Sequence, residues 1–522
     1  MERRPSVIAV ALMLIALAAV SFTAGALAKS GLKRSGEASE EVYKQLNPFI
    51  DALTLIQEKY VDEDKTKAHD LMEGALTGMV STLDPFSQYM PPDDFKDMET
   101  ETSGEFGGLG IEIALRDDRL TVITPIDGTP ADRAGIKALD RIIKIGDEKT
   151  DNMSINDAVK RLRGKIGTPV TITLWREGVA QPFDVTLVRD AIKIESVRAY
   201  RLPGDFGYVR INEFIHDTSV DLDAAISEME KQGPLKGLVL DLRNDPGGLL
   251  EEAFKVGDLF VAKGQIIVST RGRDKRQDYE YRGTGRKKWG KRPIVVLINE
   301  GSASASEIVS GALKDLKLAL LLGTKSFGKG SVQTIFPLEN SGGAALRLTT
   351  AKYYTPSGIS IHGIGIQPDL DLKEPDLTES TVKAFNDKVV DDFVKTLEKE
   401  KFAANENTQI TPATLKRFYD FAALKNKKLD PSDLAKDSDV LSNSILLELL
   451  QDGPGDKVAR QVGVLRDRQV VVAEEVLRNG GKLTPKWAAH EAKVVKDREK
   501  AEKDKAAKDK GGPTPKKPHI RK

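Results

Sequence analysis

Two short runs with no polar face limit the fold of this chain more than anything else in it. Gly237-Leu238-Val239-Leu240-Asp241-Leu242-Arg243 and Ile294-Val295-Val296-Leu297-Ile298 have the length of strands, yet lack the alternation of a strand that faces water on one side. Such strands must be covered on both faces. Phe206 to Ile211 reads as a further strand, and Asp221 to Lys231 and Leu249 to Val261 read as helices between them. Residues 190–375 therefore predict an α/β core with helices on both sides of a sheet.

The whole chain, at 522 residues, exceeds what one core can hold, so several domains are expected. Residues 37–99 carry helical periodicity through Val42, Leu46, Phe49, Ile50 and Leu53 and again through Leu71, Ala75 and Met79, up to a proline-rich turn from Leu83 to Pro92. Residues 376–490 are charged with apolar stripes such as Leu415, Phe418 and Tyr419, which predicts a small helical domain or a dimerisation element. Residues 491–522, with twelve basic and five acidic residues from Ala492 onward, predict a disordered Lys-rich tail.

Lys+Arg and Asp+Glu balance at 79 each, which favours neither nucleic acid nor a strongly acidic partner. With no cysteine there is no disulfide and no thiol nucleophile, and no acidic or histidine cluster has metal-ligand spacing, so neither metal nor cofactor is expected. Arg3 and Arg4 precede an uncharged, mostly apolar run from Val7 to Ala28 that ends in Ala26-Leu27-Ala28. Residues 1–28 read as a signal peptide or a membrane anchor, and either one puts the rest of the chain outside the cytoplasm.

From Phe106 the texture changes to short strands with glycine turns. Gly107-Gly108-Leu109-Gly110-Ile111 leads into a strand, Thr129-Pro130-Ala131 follows, then Arg141-Ile142-Ile143, a helix from Ile155 to Leu162, and Val170 to Trp175. This order resembles a bacterial PDZ domain over residues 100–185. The resemblance implies that an edge strand takes up a peptide by β-augmentation, with the turn Leu109, Gly110 and Ile111 offering amides to the terminal carboxylate. Many relatives carry glycine-aspartate before the Ile-containing strand, where this chain has Leu139-Asp140.

Chemistry concentrates in the core. After the strand Ile294 to Ile298, the turn Asn299-Glu300-Gly301 leads to Ser302-Ala303-Ser304-Ala305-Ser306-Glu307 at the start of a helix. A serine at such a junction projects from a tight turn beside free amides that can stabilise an oxyanion. Phe327-Gly328-Lys329-Gly330-Ser331-Val332-Gln333 supplies a lysine between two small residues. Burial disfavours its ammonium form, and moving an amine from about 10.4 to about 7.4 requires roughly 4 kcal/mol. No phosphate-loop pattern surrounds this lysine. Of the five histidines only His216 and His362 lie in the core, and a Ser/His/Asp triad finds little support.

Together with Leu242-Arg243-Asn244-Asp245-Pro246-Gly247-Gly248, Tyr353-Tyr354-Thr355-Pro356-Ser357-Gly358 and Gly365-Ile366-Gln367-Pro368-Asp369, these motifs resemble the carboxyl-terminal processing peptidases, the tail-specific Ser/Lys proteases, from about residue 40 to about 372. The resemblance implies a ClpP/crotonase-like α/β core with an inserted PDZ domain, a helical N-terminal region and a helical C-terminal extension. It puts the nucleophile on Ser304, 25 residues before the general base Lys329, the orienting glutamine on Gln333, and the oxyanion donors on Ala305 and one of Gly247 and Gly248. It implies protein substrates with exposed C-terminal tails in the periplasm, a PDZ domain able to gate the site, and contact with the inner membrane if the N-terminal segment is uncleaved. It leaves room for an adaptor protein and a homo-oligomer. The alternatives are a catalytically silent PDZ scaffold and a crotonase-fold enzyme acting on acyl-CoA.

Overall fold

The computed structural model describes residues 36–510, apart from positions 117, 118, 127, 138, 287 and 340. The expected signal or anchor segment, residues 1–28, lies outside the described residues, and among those described no helix is long and apolar enough to cross a membrane. The chain divides into two compact units, one ending at Pro91 and the other beginning at Pro92.

The first unit holds helices α1 (Gly36–Lys59) and α2 (Ala68–Ser81) and the short strand β1 (Gln88–Met90). The Asp84-Pro85 turn is closed by its own aspartate, whose carboxylate accepts from the amides of Phe86 and Ser87 at 2.8 Å each and from Ser87 Oγ at 2.9 Å.

The second unit opens with α3 (Pro92–Ser103) and β2 (Glu105–Gly108). The PDZ module follows: β3 (Ile111–Arg116), β4 (Arg119–Pro125), α4 (Pro130–Arg133), β5 (Arg141–Ile145), β6 (Glu148–Lys149), α5 (Ile155–Leu162), β7 (Pro169–Trp175) and β8 (Phe183–Val188). Its sheet runs β3-β4-β5-β7-β8, so β3 lies at an edge, and its core includes Leu109, Val122, Ile142, Ala158, Leu162, Ile172 and Leu174. Strand β9 (Asp190–Lys193) returns antiparallel to β2, and together they link the module to the core.

The core comprises β10 (Val197–Leu202), β11 (Phe206–Ile211), α6 (Thr218–Glu230), β12 (Gly237–Asp241), α7 (Leu250–Asp258), β13 (Ile266–Gly272), β14 (Tyr279–Arg282), β15 (Ile294–Ile298), α8 (Ala305–Asp315), β16 (Leu320–Gly323), β17 (Ser331–Pro337), β18 (Ala345–Tyr354) and β19 (Leu370–Asp371). The main sheet runs β10-β11-β12-β15-β16-β19, parallel from β11 onward, with Val239 opposite Val295 and Leu240 opposite Val296. Strands β14, β13, β18 and β17 pair antiparallel in a second sheet.

The pleat sends Leu238, Leu240, Val296 and Ile298 into one core, shared with Ala253 and Val256 of α7 and Val309 and Ala312 of α8. It sends Val239, Val295, Leu297 and Leu322 into another, shared with Val470, Ala473, Val476 and Leu477. The two runs apolar on both faces are thus covered twice.

The second cover comes from the C-terminal region: α9 (Glu379–Asn386), α10 (Val389–Lys399), α11 (Pro412–Lys425), α12 (Pro431–Lys436), α13 (Ser438–Asp452), α14 (Asp456–Arg466), α15 (Arg468–Arg478) and α16 (Pro485–Lys510). Helices α9 to α14 share a core of their own, including Phe393, Phe418, Leu446 and Leu450, whereas α15 is a layer of the α/β core itself.

The tail departs from its expectation. Residues 491–510, expected to be disordered, continue α16, and residues 511–522 lie outside the described residues. The segment is rich in Ala, Lys and Glu, which are strong helix formers, and it is tied down. Glu491 accepts the Asp371 amide at 2.6 Å, Arg498 pairs with the Asp371 carboxylate at 2.6 Å, and His490 Nε2 lies 3.0 Å from the Asp371 carbonyl.

Candidate active site

Loops at the carboxyl ends of the parallel strands β12 and β15 meet where α/β sheets commonly carry their sites. Ser302, Ser304 and Ser306 have three different fates there. Ser302 is fully buried; its hydroxyl donates to the Leu242 carbonyl at 2.7 Å and accepts the Asn299 amide at 2.9 Å. Ser306 is also fully buried and donates to the Asp245 carbonyl at 3.1 Å. Both stitch the loop after β12 to the turn after β15. Ser304 is only half-buried, at the N-cap of α8, with φ +54° and ψ −112°. A non-glycine residue in that region costs about 1–3 kcal/mol and persists only where its surroundings enforce it.

The glycine loop presses against this turn. A Cβ on Gly247 would lie 2.6 Å from Ser304 Cβ and 2.8 Å from the Ala305 amide nitrogen, and one on Gly248 would strike the Phe214 carbonyl at 2.2 Å. Both have positive φ, +102° and +137°, so no side chain fits at either position. The two amides differ. Gly247 N–H donates to Asp245 Oδ1 at 2.8 Å. Gly248 is held through its neighbours, by Phe214 N–H to Gly247 O and Leu249 N–H to Phe214 O, each at 2.7 Å. Among the described residues neither the Gly248 amide nor the Ala305 amide has a hydrogen-bond partner.

One carboxylate fastens the lysine loop to the serine turn. Glu307 Oε2 accepts the amides of Ser304 at 3.0 Å and Lys329 at 2.8 Å; Oε1 accepts the Gly328 amide at 2.7 Å and Ser326 Oγ at 2.5 Å. Burial pushes this carboxyl above its usual range, opposed by all four donors. Gly328, with φ +96°, and Gly330 bring the loop against the 362–365 segment: a Cβ on Gly328 would lie 3.0 Å from the Gly365 amide nitrogen, and one on Gly330 would lie 2.5 Å from that of His362. His362 itself is exposed.

Lys329 is half-buried. Burial, and after it the positive charge of Arg347, push its amine below the ordinary lysine range, against the pull of Glu307. Gln333 lies on β17 beside a β-bulge, and its amide nitrogen donates to Ser331 Oγ at 3.0 Å and Thr349 Oγ1 at 3.1 Å. Its carbonyl oxygen remains the atom able to accept from an amine.

In the PDZ module, Leu109, Gly110 and Ile111 form the turn into edge strand β3. Gly110 has φ +74°, a Cβ there would meet Thr129 Cβ at 2.3 Å, and its carbonyl accepts the Ile126 amide at 2.9 Å. At the altered glycine-aspartate position, Leu139 adopts φ +68° with an exposed side chain, while Asp140 is fully buried in a two-point pair with Arg176, both contacts at 2.6 Å.

The structure thus brings Ser304, Ala305, Gly247, Gly248 and Lys329 together, sets Gln333 on the adjoining strand, and keeps Leu109, Gly110 and Ile111 in a separate module. Sequence reasoning missed four residues at the site. Glu307 had a signal, since serine followed three residues later by glutamate is a capping box. Asp245 and Tyr353 stood in the motifs quoted above with no role assigned, Asp245 acting on the Gly247 amide two residues away; Arg347 had no signal, because strand register alone delivers it.

Three family models match the chain: peptidase family S41 over residues 205–372, a PDZ domain over 121–176, and the N-terminal domain of the activating protease CtpB over 7–94. A carboxy-terminal-processing protease of Bartonella bacilliformis is 49% identical over 342 residues, covering 64% of this chain and 77% of that protein. A probable CtpA-like serine protease of Staphylococcus aureus is 38% identical over 351 residues, 66% of this chain and 67% of that one. Among solved structures, the photosystem II D1 C-terminal processing protease matches with a TM-score of 0.36 and 31% identity, over 62% of this chain and 92% of that one.

Proposed function

This chain belongs to the carboxy-terminal-processing serine proteases of peptidase family S41, and on that premise we propose that it cleaves exported proteins near their C-termini through a Ser304/Lys329 dyad. The observation that carries this reading is the contrast among the three serines. Only Ser304 of the three is not fully buried, and Glu307 ties its amide and that of Lys329 to one carboxylate oxygen.

The neutral Lys329 amine takes the Ser304 proton as Oγ attacks the substrate carbonyl. The resulting lysine ammonium returns its proton to the leaving amine, and water then resolves the acyl-enzyme. The oxyanion is held by the amides of Ala305 and Gly248. Gly248 is preferred over Gly247 because the Gly247 amide is already given to Asp245. Gln333 orients the lysine through its carbonyl oxygen, since both of its observed donor bonds go to Ser331 and Thr349.

Free edge strand β3 takes up the substrate terminus as an added strand, with Leu109, Gly110 and Ile111 meeting the carboxylate. The N-terminal basic-apolar segment supports a location in the periplasm, or on the inner membrane facing it. An adaptor protein or a second copy of the chain is compatible with this arrangement.

Cleavage of an unfolded protein tests the dyad. Ser304→Ala and Lys329→Ala should each reduce kcat by about a thousandfold or more while peptide binding to the PDZ module persists. Undiminished cleavage by Ser304→Ala would sink the nucleophile assignment.

A further inference from the structure

Glu307 gathers the amides of both loops but leaves the Lys329 carbonyl to another residue. It is met by Tyr353. Its ring is 2% exposed and lies in the main core with Ala305, Ile308 and Ile361. Its amide donates to the Gly330 carbonyl at 3.1 Å, and its hydroxyl donates to the Lys329 carbonyl. One residue therefore holds two successive carbonyls of the lysine loop. A phenol has a single proton, and here it is committed to the Lys329 carbonyl.

We propose that Tyr353 is a positioning residue for acyl transfer, fixing the peptide from which the Lys329 amine projects. The inference rests on the reading of Ser304 as nucleophile and Lys329 as base. Tyr353 exchanges no proton in the reaction. The serine proton passes to the Lys329 amine, and the phenol keeps its bond to the carbonyl. Burial, which holds the phenol far above its ordinary titration range, preserves that single role through the working pH range.

Removing the phenol oxygen frees the lysine peptide. The Lys329 carbonyl loses its donor and the amine reaches water more often, which restores its ordinary affinity for a proton. Tyr353→Phe should therefore lower kcat by about ten- to a hundredfold, leave KM nearly unchanged, and move the acid limb of the pH–rate profile to higher pH. Rates are taken per active site, titrated with a serine-directed fluorophosphonate. A tyrosine that merely packs would lower Tm and the titrated fraction without moving that limb. Wild-type kcat and an unmoved limb per titrated site would overturn the proposal.

If Tyr353→Phe fails to fold, full-length protein carrying 3-fluorotyrosine at position 353 keeps the ring and changes only the acidity of the phenol. An altered kcat at unchanged Tm supports the proposal, and identical kcat and profile overturn it. Ser304→Ala separates the two levels: if it still cleaves, the underlying dyad is wrong, whereas a silent Ser304→Ala beside a wild-type Tyr353→Phe defeats the positioning role alone.

Discussion

Ser304 and Leu139 both take the positive φ that side chains avoid, +54° and +68°, but their surroundings are opposite. Around Ser304, Glu307 holds the amide and the glycine loop presses from one side. Around Leu139 the backbone amide bonds the Val122 carbonyl at 2.9 Å, and the side chain stands 57% exposed. The same strain is enforced by many groups in the protease core and merely tolerated at the surface of the PDZ module. An unusual φ therefore points to chemistry only where neighbours over-determine it.

Weakening what enforces Ser304 is the most direct way to break this contrast. Glu307→Gln keeps the shape but turns one acceptor oxygen into a donor, so two of the four donors on Glu307 face another donor. At roughly 1–3 kcal/mol for each unsatisfied buried donor, unfolding by denaturant should show a loss of about 2–6 kcal/mol, and kcat should fall with it. Unchanged stability would mean that the carboxylate is not what maintains the strained turn.

Asp245 tests the glycine loop through pH. It is fully buried, Oδ2 has no hydrogen-bond partner, and burial pushes its carboxyl up to about 8, opposed mainly by the Gly247 amide and the Ser306 hydroxyl. The folded state thus holds this proton more tightly than the unfolded chain, whose carboxyl titrates near 3.9. Its contribution to stability is fully present below about 3.9, declines as pH rises, and is gone above about 8. Asp245→Asn resembles the protonated form. The variant should hold its Tm through the window in which the parent loses it, and parallel Tm curves would count against the buried, proton-holding Asp245.

A smaller effect concerns charge. Arg347→Met removes the positive neighbour that, after burial, most disfavours the Lys329 ammonium. Because the active amine is neutral, activity rises with pH through its titration, so this variant should move the acid limb upward with little change in the plateau. An acid limb that stays in place would leave burial alone to tune the base.

How much of this was legible in the sequence follows from how local each feature is. The α/β core could be read because runs such as Val239-Leu240 and Val295-Val296 declare two covered faces, although the identity of the second cover could not: Val470, Ala473, Val476 and Leu477 form one more amphipathic stripe until α15 docks. Ser304 and Lys329 stood out because each sits in a short motif whose glycines and alanines have a local cause. Tyr353 and Arg347 act from β18 on the lysine loop, and register rather than composition delivers them, whereas Asp245 acts on the Gly247 amide two residues away. The tail was misread because charge suggested solvation, while its anchors to Asp371 lie more than 100 residues away.

Leu139 gives the mildest and cleanest test of the opening contrast. If its left-handed backbone is strain that nothing nearby uses, glycine should relieve it: an L-residue there costs roughly 1–2 kcal/mol, and the entropy that glycine loses on folding takes back roughly half. Little packing is lost, because the side chain is exposed, and the Asp140–Arg176 pair beside it does not depend on the leucine. Leu139→Gly should therefore raise the denaturation midpoint by an amount worth about 0.5–1 kcal/mol without altering kcat. Leu139→Asn, whose side chain tolerates this region better than leucine, should fall between the two. The same relief cannot be given to Ser304, because glycine would remove the nucleophile with the strain. A destabilised Leu139→Gly would mean that the leucine makes contacts that matter, and that the two turns are less different than their exposure suggests.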